Sequence, residues 1–539
     1  MKLTSRVIIS LALLLCGQGA FAARPADDDK ELKQQVNEAV MQVYNEQLEQ
    51  DPNDYNTLFA RANQYYFNGN NLKALDDVSA ALDLIPAKEK ELRFDALMLR
   101  AKVYDARQNY ESELADLKEA SSITPSSLSC IDMLAKVSYN LGDYDASEKN
   151  YQTILRENPT NYDALYGLAK IEVKRDNYEK AAGYVDKAVN LFTAEPQVYI
   201  NRADVLNMME QYEPAAQDLI SALSVGNSET EALRALTEMS NKHYEAVMEA
   251  LGNSINKAPR VGMFYYIRSQ IAMSHFHYAQ ALKDLKSIIN NNLYDYSGIY
   301  YGAAKCQFEL MQYGEALANI NKALKMDAKE IDYYILKADI VRYNGDGKNY
   351  DDADAVLDLA ANLNPDYAPM LLAKAHLLIA QRKNEDAVRT INAIVMNDAS
   401  NAEALLLRGW VYKYRMQKAD LAKSDFEKML LNGEGMASLR GFALHELGRA
   451  DEARAWAKEI INANAAPGGE AYYYASALLS DMDDNDQAYK YLESGLAYGF
   501  GSAFELKVNE DPYVNLKLVR RHPDFGKLVD QYGSNFVEQ

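Results

Sequence analysis

The sequence predicts an all-α solenoid built of helix-turn-helix units, and three observations carry that prediction. The first is the stretch Tyr162 to Leu191, which holds two helical periods. Leu165, Leu168 and Ala169 form one apolar face, Arg175-Asp176-Asn177 interrupts, and Tyr178, Ala181, Val185 and Ala188 form a second. Neither helix can bury its stripe alone, so each must pack on its partner and its neighbours. The second is a tyrosine just after that turn, recurring at Tyr110, Tyr144, Tyr178, Tyr212, Tyr244, Tyr278, Tyr313 and Tyr350, with gaps of 34, 34, 34, 32, 34, 35 and 37 residues. The third is a small residue in the first helix of each unit. It stands at Ala62, Ala101, Ala135, Ala169, Ala203, Ala235, Ser269, Ala304, Ala338, Ala375, Gly409, Gly441 and Ser476, which makes thirteen units.

A small side chain is needed where the two helices of a unit cross closely. The second helix carries its own at Ala74, Ala181, Ala215, Ala281, Ala316, Ala353, Ala387, Ala453 and Ala488, with Ser147, Glu113, Val247 and Leu421 as departures. Several units close with proline, at Pro86, Pro125, Pro159, Pro259 and Pro365. Over about residues 54 to 500 this register resembles the tetratricopeptide repeat, a helix-turn-helix of about 34 residues. The resemblance implies a right-handed superhelical solenoid of about thirteen repeats that binds a peptide or protein in its concave groove.

At the front, Lys2 and Arg6 precede the apolar run Val7 to Leu15, and small and polar residues lead to Ala20-Phe21-Ala22. This is the pattern of a secretory signal peptide over residues 1–22, with cleavage expected after Ala22 and the protein exported, periplasmic or secreted. Cys16 raises the rival of a lipoprotein, but Leu13, Leu14 and Leu15 stand where a lipobox has a small residue before its cysteine. No transmembrane segment is expected, and membrane association would come only through lipidated Cys16 or a partner.

The formal charge of -21 becomes about -23 once Lys2 and Arg6 are removed, because no acidic residue goes with them. So acidic a chain argues against a nucleic-acid partner, which needs Lys and Arg to neutralise phosphates. Cys130 and Cys306 lie in distant units, so both are expected as packed thiols and not as a disulfide.

Residues 23–53 read as an N-terminal cap. Asp27-Asp28-Asp29 opens an acidic segment that leads into a helix from about Glu31 to Gln50, with Leu32, Val36, Val40, Val43 and Tyr44 on one face. The repeats then occupy residues 54–502 without an obvious linker, and Asn344-Gly345-Asp346-Gly347-Lys348 lengthens one turn as a surface insertion. Residues 503–539 resemble the helical cap that closes many bacterial arrays of this kind. Pro512 and Pro523 are expected to begin short helices there, with Leu516, Leu518, Phe525 and Leu528 covering the last unit.

Candidates for catalysis are poor. Among six histidines, His275 and His277 are two apart and point to different helix faces. His445-Glu446 begins a zinc-protease pattern, but Arg449 replaces its second histidine. Asp481-Met482-Asp483-Asp484-Asn485-Asp486 resembles a calcium loop, yet Asp486 replaces the glycine and Leu492 the bidentate glutamate, so it reads as a capped turn. No catalytic residue, metal site or cofactor is assigned.

The family resemblance places groove-facing residues three before, one after and four or five after the small residue. The resulting binding candidates are Phe59, Tyr66, Lys102, Lys136, Tyr139, Tyr166, Lys170, Tyr266, Tyr301, Tyr343, Trp410 and Tyr414, with Met98, Ile200, Leu372, Leu406, Tyr473 and His376 at equivalent positions. Aromatic side chains with a polar tip suit peptide recognition. Lys102, Lys136 and Lys170, each 34 residues from the next, would stack as a cationic ladder for an acidic partner unless acids such as Asp132 or Asp163 pair with them. The sequence thus predicts a non-enzymatic, exported, bacterial interaction scaffold. The alternatives are a chaperone or assembly subunit of an envelope machine handling secretion or polysaccharide, and, more remotely, a metal-dependent enzyme.

Overall fold

In the computed structural model of the chain, the described residues are 26–225, 229–345, 348–432, 439–462, 469–509 and 511–537. They form 29 α-helices and no strand. Within each unit most consecutive helices pack as pairs, numbered here after the small residue of their first helix: pairs 1 to 4 in the first unit and 7 to 13 in the second. The expected signal peptide, with Cys16, lies outside the described residues.

The chain divides into two compact units, one ending at Glu210 and the other beginning at Gln211. The first opens with the helix Ala26–Gln50. It begins earlier than expected, at Ala26. Pairs 1 to 4 follow: Tyr55–Phe67 with Asn71–Leu84, Lys90–Ala106 with Tyr110–Ile123, Leu128–Asn140 with Tyr144–Glu157, and Tyr162–Lys174 with Tyr178–Leu191. The helix Pro196–Met208 ends this unit.

The second unit starts with Tyr212–Val225, Glu229–Ser240 and Tyr244–Lys257. Pairs 7 to 13 follow: Gly262–Ser274 with Tyr278–Asn290, Ser297–Glu309 with Tyr313–Met326, Ile331–Tyr343 with Tyr350–Ala361, Ala368–Ala380 with Asn384–Asn397, Ala402–Tyr414 with Ala419–Asn432, Arg440–Glu446 with Ala450–Asn462, and Glu470–Asp481 with Asn485–Ala497. Each of the eight recurring tyrosines is the first residue of a second helix. Two residues before many of the second helices the backbone turns left-handed, at Gly142, Gly448, Gln108 and Asp176 among others, which sets the sharp reversal between paired helices. Side-chain caps fix several helix starts, as where Asp54 accepts from the backbone N–H groups of Asn56 and Thr57.

The small positions lie where the spacing predicts in nearly every pair. Ala62, Ala101, Ala135, Ala169 and Ala304 are fully buried in first helices, as are Ala74, Ala181, Ala281 and Ala316 in second helices. Glycine stands where the partner is large: a Cβ on Gly409 would strike the Phe426 ring, and one on Gly441 the Trp456 ring. Gly409→Val is therefore expected to cost about 1–3 kcal/mol by overpacking. A denaturation midpoint equal to the wild type's would refute this account of the position.

Three of the four departures have physical explanations, while Val247 is simply buried in its place. Ser147 is buried and donates to the Ala135 carbonyl at 2.7 Å, so its hydroxyl ties the paired helices together. Glu113 is buried, and burial pushes its carboxyl up to about 8, so it sits there neutral. Leu421 is not the small position, which lies one residue later. Leu421 is half-exposed, and Ala422, buried, occupies the site.

Ala235 is also corrected. It is only partly buried, because Tyr244–Lys257 packs chiefly on Tyr212–Val225 and leaves Glu229–Ser240 to one side. Gln217 donates to Ser254 at 3.0 Å across that contact. The turn Asp481–Asp486 links two helices as expected, but Asp484 makes no side-chain cap. The insertion at Asn344 lies partly outside the described residues. Cys130 and Cys306 are buried and not joined in a disulfide.

The pairs also carry a recurring staple that the periodicity alone does not reveal. In pairs 1, 2, 7 and 11 the arginine that stands just before the small position forks onto an aspartate of the second helix. Arg61 meets Asp77 at 2.7 and 2.8 Å, Arg100 meets Asp116 at 2.7 Å twice, Arg268 meets Asp284 at 2.8 and 2.6 Å, and Arg408 meets Asp425 at 2.8 and 2.7 Å. Its signal in the sequence is an Arg-small dipeptide followed 16 or 17 residues later by Asp.

Candidate interaction surfaces

In the first unit, three successive first helices bring together four residues, three of them candidate positions. Lys170 Nζ lies over the Tyr139 ring at 4.8 Å and over the Tyr166 ring at 5.1 Å. The Tyr166 hydroxyl donates to Asp204 Oδ2 at 2.7 Å. Tyr139 comes from pair 3, Tyr166 and Lys170 from pair 4, and Asp204 from Pro196–Met208. Asp204 continues the 34-residue series of Lys102, Lys136 and Lys170, so the cationic ladder ends in an acid.

Burial lowers the Lys170 ammonium below its ordinary value, with Asp204 opposing, and burial and Asp204 together raise the Tyr166 phenol. Lys136 pairs with Asp132 at 2.7 Å, one turn earlier on its own helix. Lys102 is exposed. The ladder is therefore partly neutralised from within, and its durable feature is two tyrosine faces clamping a cation. Phe59 and Tyr66 are half-buried against the core of pairs 1 and 2, apart from this cluster.

In the second unit the candidates are distributed differently. Tyr266 meets Tyr296 edge-on at 6.4 Å, and Tyr301 stacks on Tyr333 at 4.9 Å. Trp410 and Tyr414 lie 5.4 Å apart, with the Tyr414 hydroxyl donating to Glu446 at 3.1 Å. Several positions assigned to the groove are core instead. Met98 in the first unit and Leu372, Leu406 and Tyr473 in the second are buried, because neighbouring helices or the end of the chain cover them.

The end of the chain is the largest difference from expectation. Phe504 lies 4.5 Å from Phe308 and 4.9 Å from Tyr343, so Tyr343 already has a partner from its own chain. Phe500 stacks on Phe276 at 5.3 Å and on Tyr473 at 4.9 Å, so pair 7 and pair 13 meet at one side chain. Asp511 Oδ2 is 3.7 Å from His376 Nδ1. Leu516 and Leu528 are buried as expected, Leu518 and Phe525 only partly. Pro512 begins no helix, since Asp511 instead caps a turn by accepting from the Tyr513 and Val514 N–H groups, and after Pro523 the helix starts at Phe525.

Among the described residues no group of three or more His, Cys, Asp or Glu side chains could hold a metal ion. His275 is buried between the Ile271 and Ser240 carbonyls, at 2.9 and 3.1 Å, while His277 faces the Tyr498 carbonyl at 3.2 Å, so the two rings serve separate contacts. His445 lies 3.6 Å from Asp481, and Glu446 pairs with Lys413 at 2.7 Å. No helix among the described residues is long and apolar enough to cross a membrane.

A stack of short antiparallel helix pairs with one small residue at each crossing defines the class of helical repeat proteins. Residues 133–197 match the family model described as "Tetratricopeptide repeat", so that stretch carries tetratricopeptide repeats. It is 22% identical over 431 residues to a TPR repeat-containing protein of Methanocaldococcus jannaschii, covering 74% of each chain. Among solved structures, yeast Tom70 is 14% identical with a TM-score of 0.37, covering 88% of this chain and 99% of that one. A tetratricopeptide repeat protein from Parabacteroides merdae is 17% identical with a TM-score of 0.28, covering 52% of this chain and 97% of its own. Proteins of these repeats are in general non-catalytic scaffolds that bind proteins or peptides.

Proposed function

We propose that this protein is an exported, non-enzymatic scaffold that holds an extended peptide or partner segment against the first-helix surface of its first unit. The observation that supports this reading is the cluster Tyr139, Lys170, Tyr166 and Asp204, where two aromatic faces, a cation and an acid from successive repeats converge. Rigid tyrosines offer large contact area with a polar tip and lose little side-chain entropy on binding. An acidic residue on the partner would gain from Lys102 and Lys136, but the Lys136–Asp132 pair makes that preference modest.

The test is a photo-crosslinking residue at Tyr166 in the mature chain, returned to its native compartment, with captured proteins identified by mass spectrometry. One dominant partner is expected, and Tyr139→Ala with Lys170→Met should weaken its affinity about tenfold or more. A broad mixture of unfolded clients would replace this reading with that of a chaperone. The mass of the mature N-terminus checks export independently, with Ala23 expected as the first residue; a lipid on Cys16 would instead establish a lipoprotein.

A further inference from the structure

We propose that Tyr266, Tyr294 and Tyr296, where pairs 7 and 8 meet, form a docking site for a lysine- or arginine-bearing segment of a partner protein. Tyr294 and Tyr296 stand in the connection between Tyr278–Asn290 and Ser297–Glu309, and Tyr266 on the first helix of pair 7. The Tyr266 and Tyr296 rings lie 6.4 Å apart with planes near a right angle, and the Tyr294 and Tyr296 rings 6.2 Å apart at 32°. Tyr294 is 54% and Tyr296 46% exposed, while Tyr266 is half-buried. Rings so spaced let one cation lie within about 6 Å of more than one ring centre.

The connection that carries the rings is fixed. The Leu293 N–H donates to the Ile288 carbonyl at 3.1 Å, and the Ile299 N–H to the Tyr296 carbonyl at 3.1 Å. A Cβ on Gly262 would press on Leu293 and Tyr294 at 3.1 and 3.2 Å, and one on Gly298 would strike the Tyr296 ring. Gly298 thus lets that ring lie back over the start of its own helix. An aromatic surface held in this way loses little freedom on binding.

The charge around the rings selects the ligand. Asp295 is exposed between the two connection tyrosines. Tyr301 stacks on Tyr333 beside them. Burial raises the Tyr333 phenol, with Glu330 and Asp327 adding to it, and burial raises the Tyr301 phenol to about 12, with Asp332 adding. Four carboxylates therefore surround ring faces that are themselves negative. Lys305, one turn after Tyr301, acts on Glu309, whose ionised form it favours. Elsewhere the chain covers such faces with its own cations: Lys322 Nζ lies 3.9 Å over the Tyr300 ring, and the Arg342 guanidinium 4.6 Å over that of Tyr343. Among the described residues no cation covers Tyr266, Tyr294 or Tyr296, whereas Lys170 is held by two rings in the first unit. In a chain of formal charge -21, rings of this kind without an internal cation suit one from outside.

The test is the affinity of the full mature chain for a fluorescein-labelled oligo-arginine peptide, read by fluorescence anisotropy at physiological salt, where general attraction to an acidic chain is screened. Tyr294→Leu with Tyr296→Leu is expected to weaken binding about tenfold, because leucine keeps apolar bulk and loses the negative ring face. Tyr294→Phe with Tyr296→Phe should retain the affinity, and Gly298→Ala, which pushes the Tyr296 ring aside without removing it, should fall between the two. Tyr178→Leu, at an exposed tyrosine of the first unit, should change nothing. No loss in the leucine pair, or an equal loss in Tyr178→Leu, would reduce the attraction to general charge and overturn the proposal. A phenylalanine pair as weak as the leucine pair would overturn it too, by placing the contact in the hydroxyls. So would an uncharged proline-rich peptide that binds more tightly than oligo-arginine and is lost in the leucine pair. The three tyrosines lie wholly in the second unit, so a negative result leaves the reading of Tyr139 and Tyr166 in the first unit untouched.

Discussion

Arg408→Met is expected to destabilise the second unit by about 3–5 kcal/mol, because it leaves Asp425 charged and buried with no fork to satisfy it. Asp425 is 3% exposed, and both its oxygens accept from the Arg408 guanidinium, which also reaches Asn392 at 2.7 Å. The double variant Arg408→Met with Asp425→Leu should recover most of the loss, since two apolar side chains can replace a buried pair at little net cost. The chain's two tryptophans, Trp410 and Trp456, lie in pairs 11 and 12, so their fluorescence during urea unfolding reports on this region. A single variant that loses less than about 1 kcal/mol would show that the fork behaves as a surface pair.

The second large effect is a loss of stability in the second unit as pH rises through neutrality. Burial raises the Glu470 carboxyl from 4.5 to about 7, and raises Asp511 and Asp339 from 3.8 to about 6. A carboxyl raised on folding contributes stability that is fully present below its unfolded value, near pH 4, and is lost as pH rises through 6 to 7. A tenfold change in proton affinity corresponds to about 1.4 kcal/mol, so the three acids together are worth a few kcal/mol between pH 5 and pH 8. The tryptophan unfolding midpoint should fall across that interval. A midpoint that rises instead would mean that these acids are ionised and paired in the folded state.

The repeat architecture was legible because it is written locally. A tyrosine at each second-helix start and a small residue at each crossing recur at nearly constant spacing, and the backbone obeys them from Tyr110 to Tyr350. Sequence and structure part where the spacing slips. At Ala235 the interval shortens to 32 residues and a helix is set aside, and before Ala422 the turn gains a residue, so the register moves by one. Each Arg–Asp fork keeps a spacing of 16 or 17 residues, but two charged residues so far apart look like surface charge until the helices are paired.

The interaction surfaces were only half legible. The family resemblance assigned Tyr139, Tyr166 and Lys170 to the first-helix surface, and the three side chains meet there. That Lys170 is clamped between rings, and that Lys136 is paired with Asp132, depends on side-chain reach that spacing does not encode. By itself the sequence determined the helix pairs and their crossings, since these follow from contacts between near neighbours. Tertiary structure alone decided that Phe500 and Phe504 return to pairs 7 to 9, some 200 residues earlier, because such contacts follow from how many small inter-repeat rotations add up.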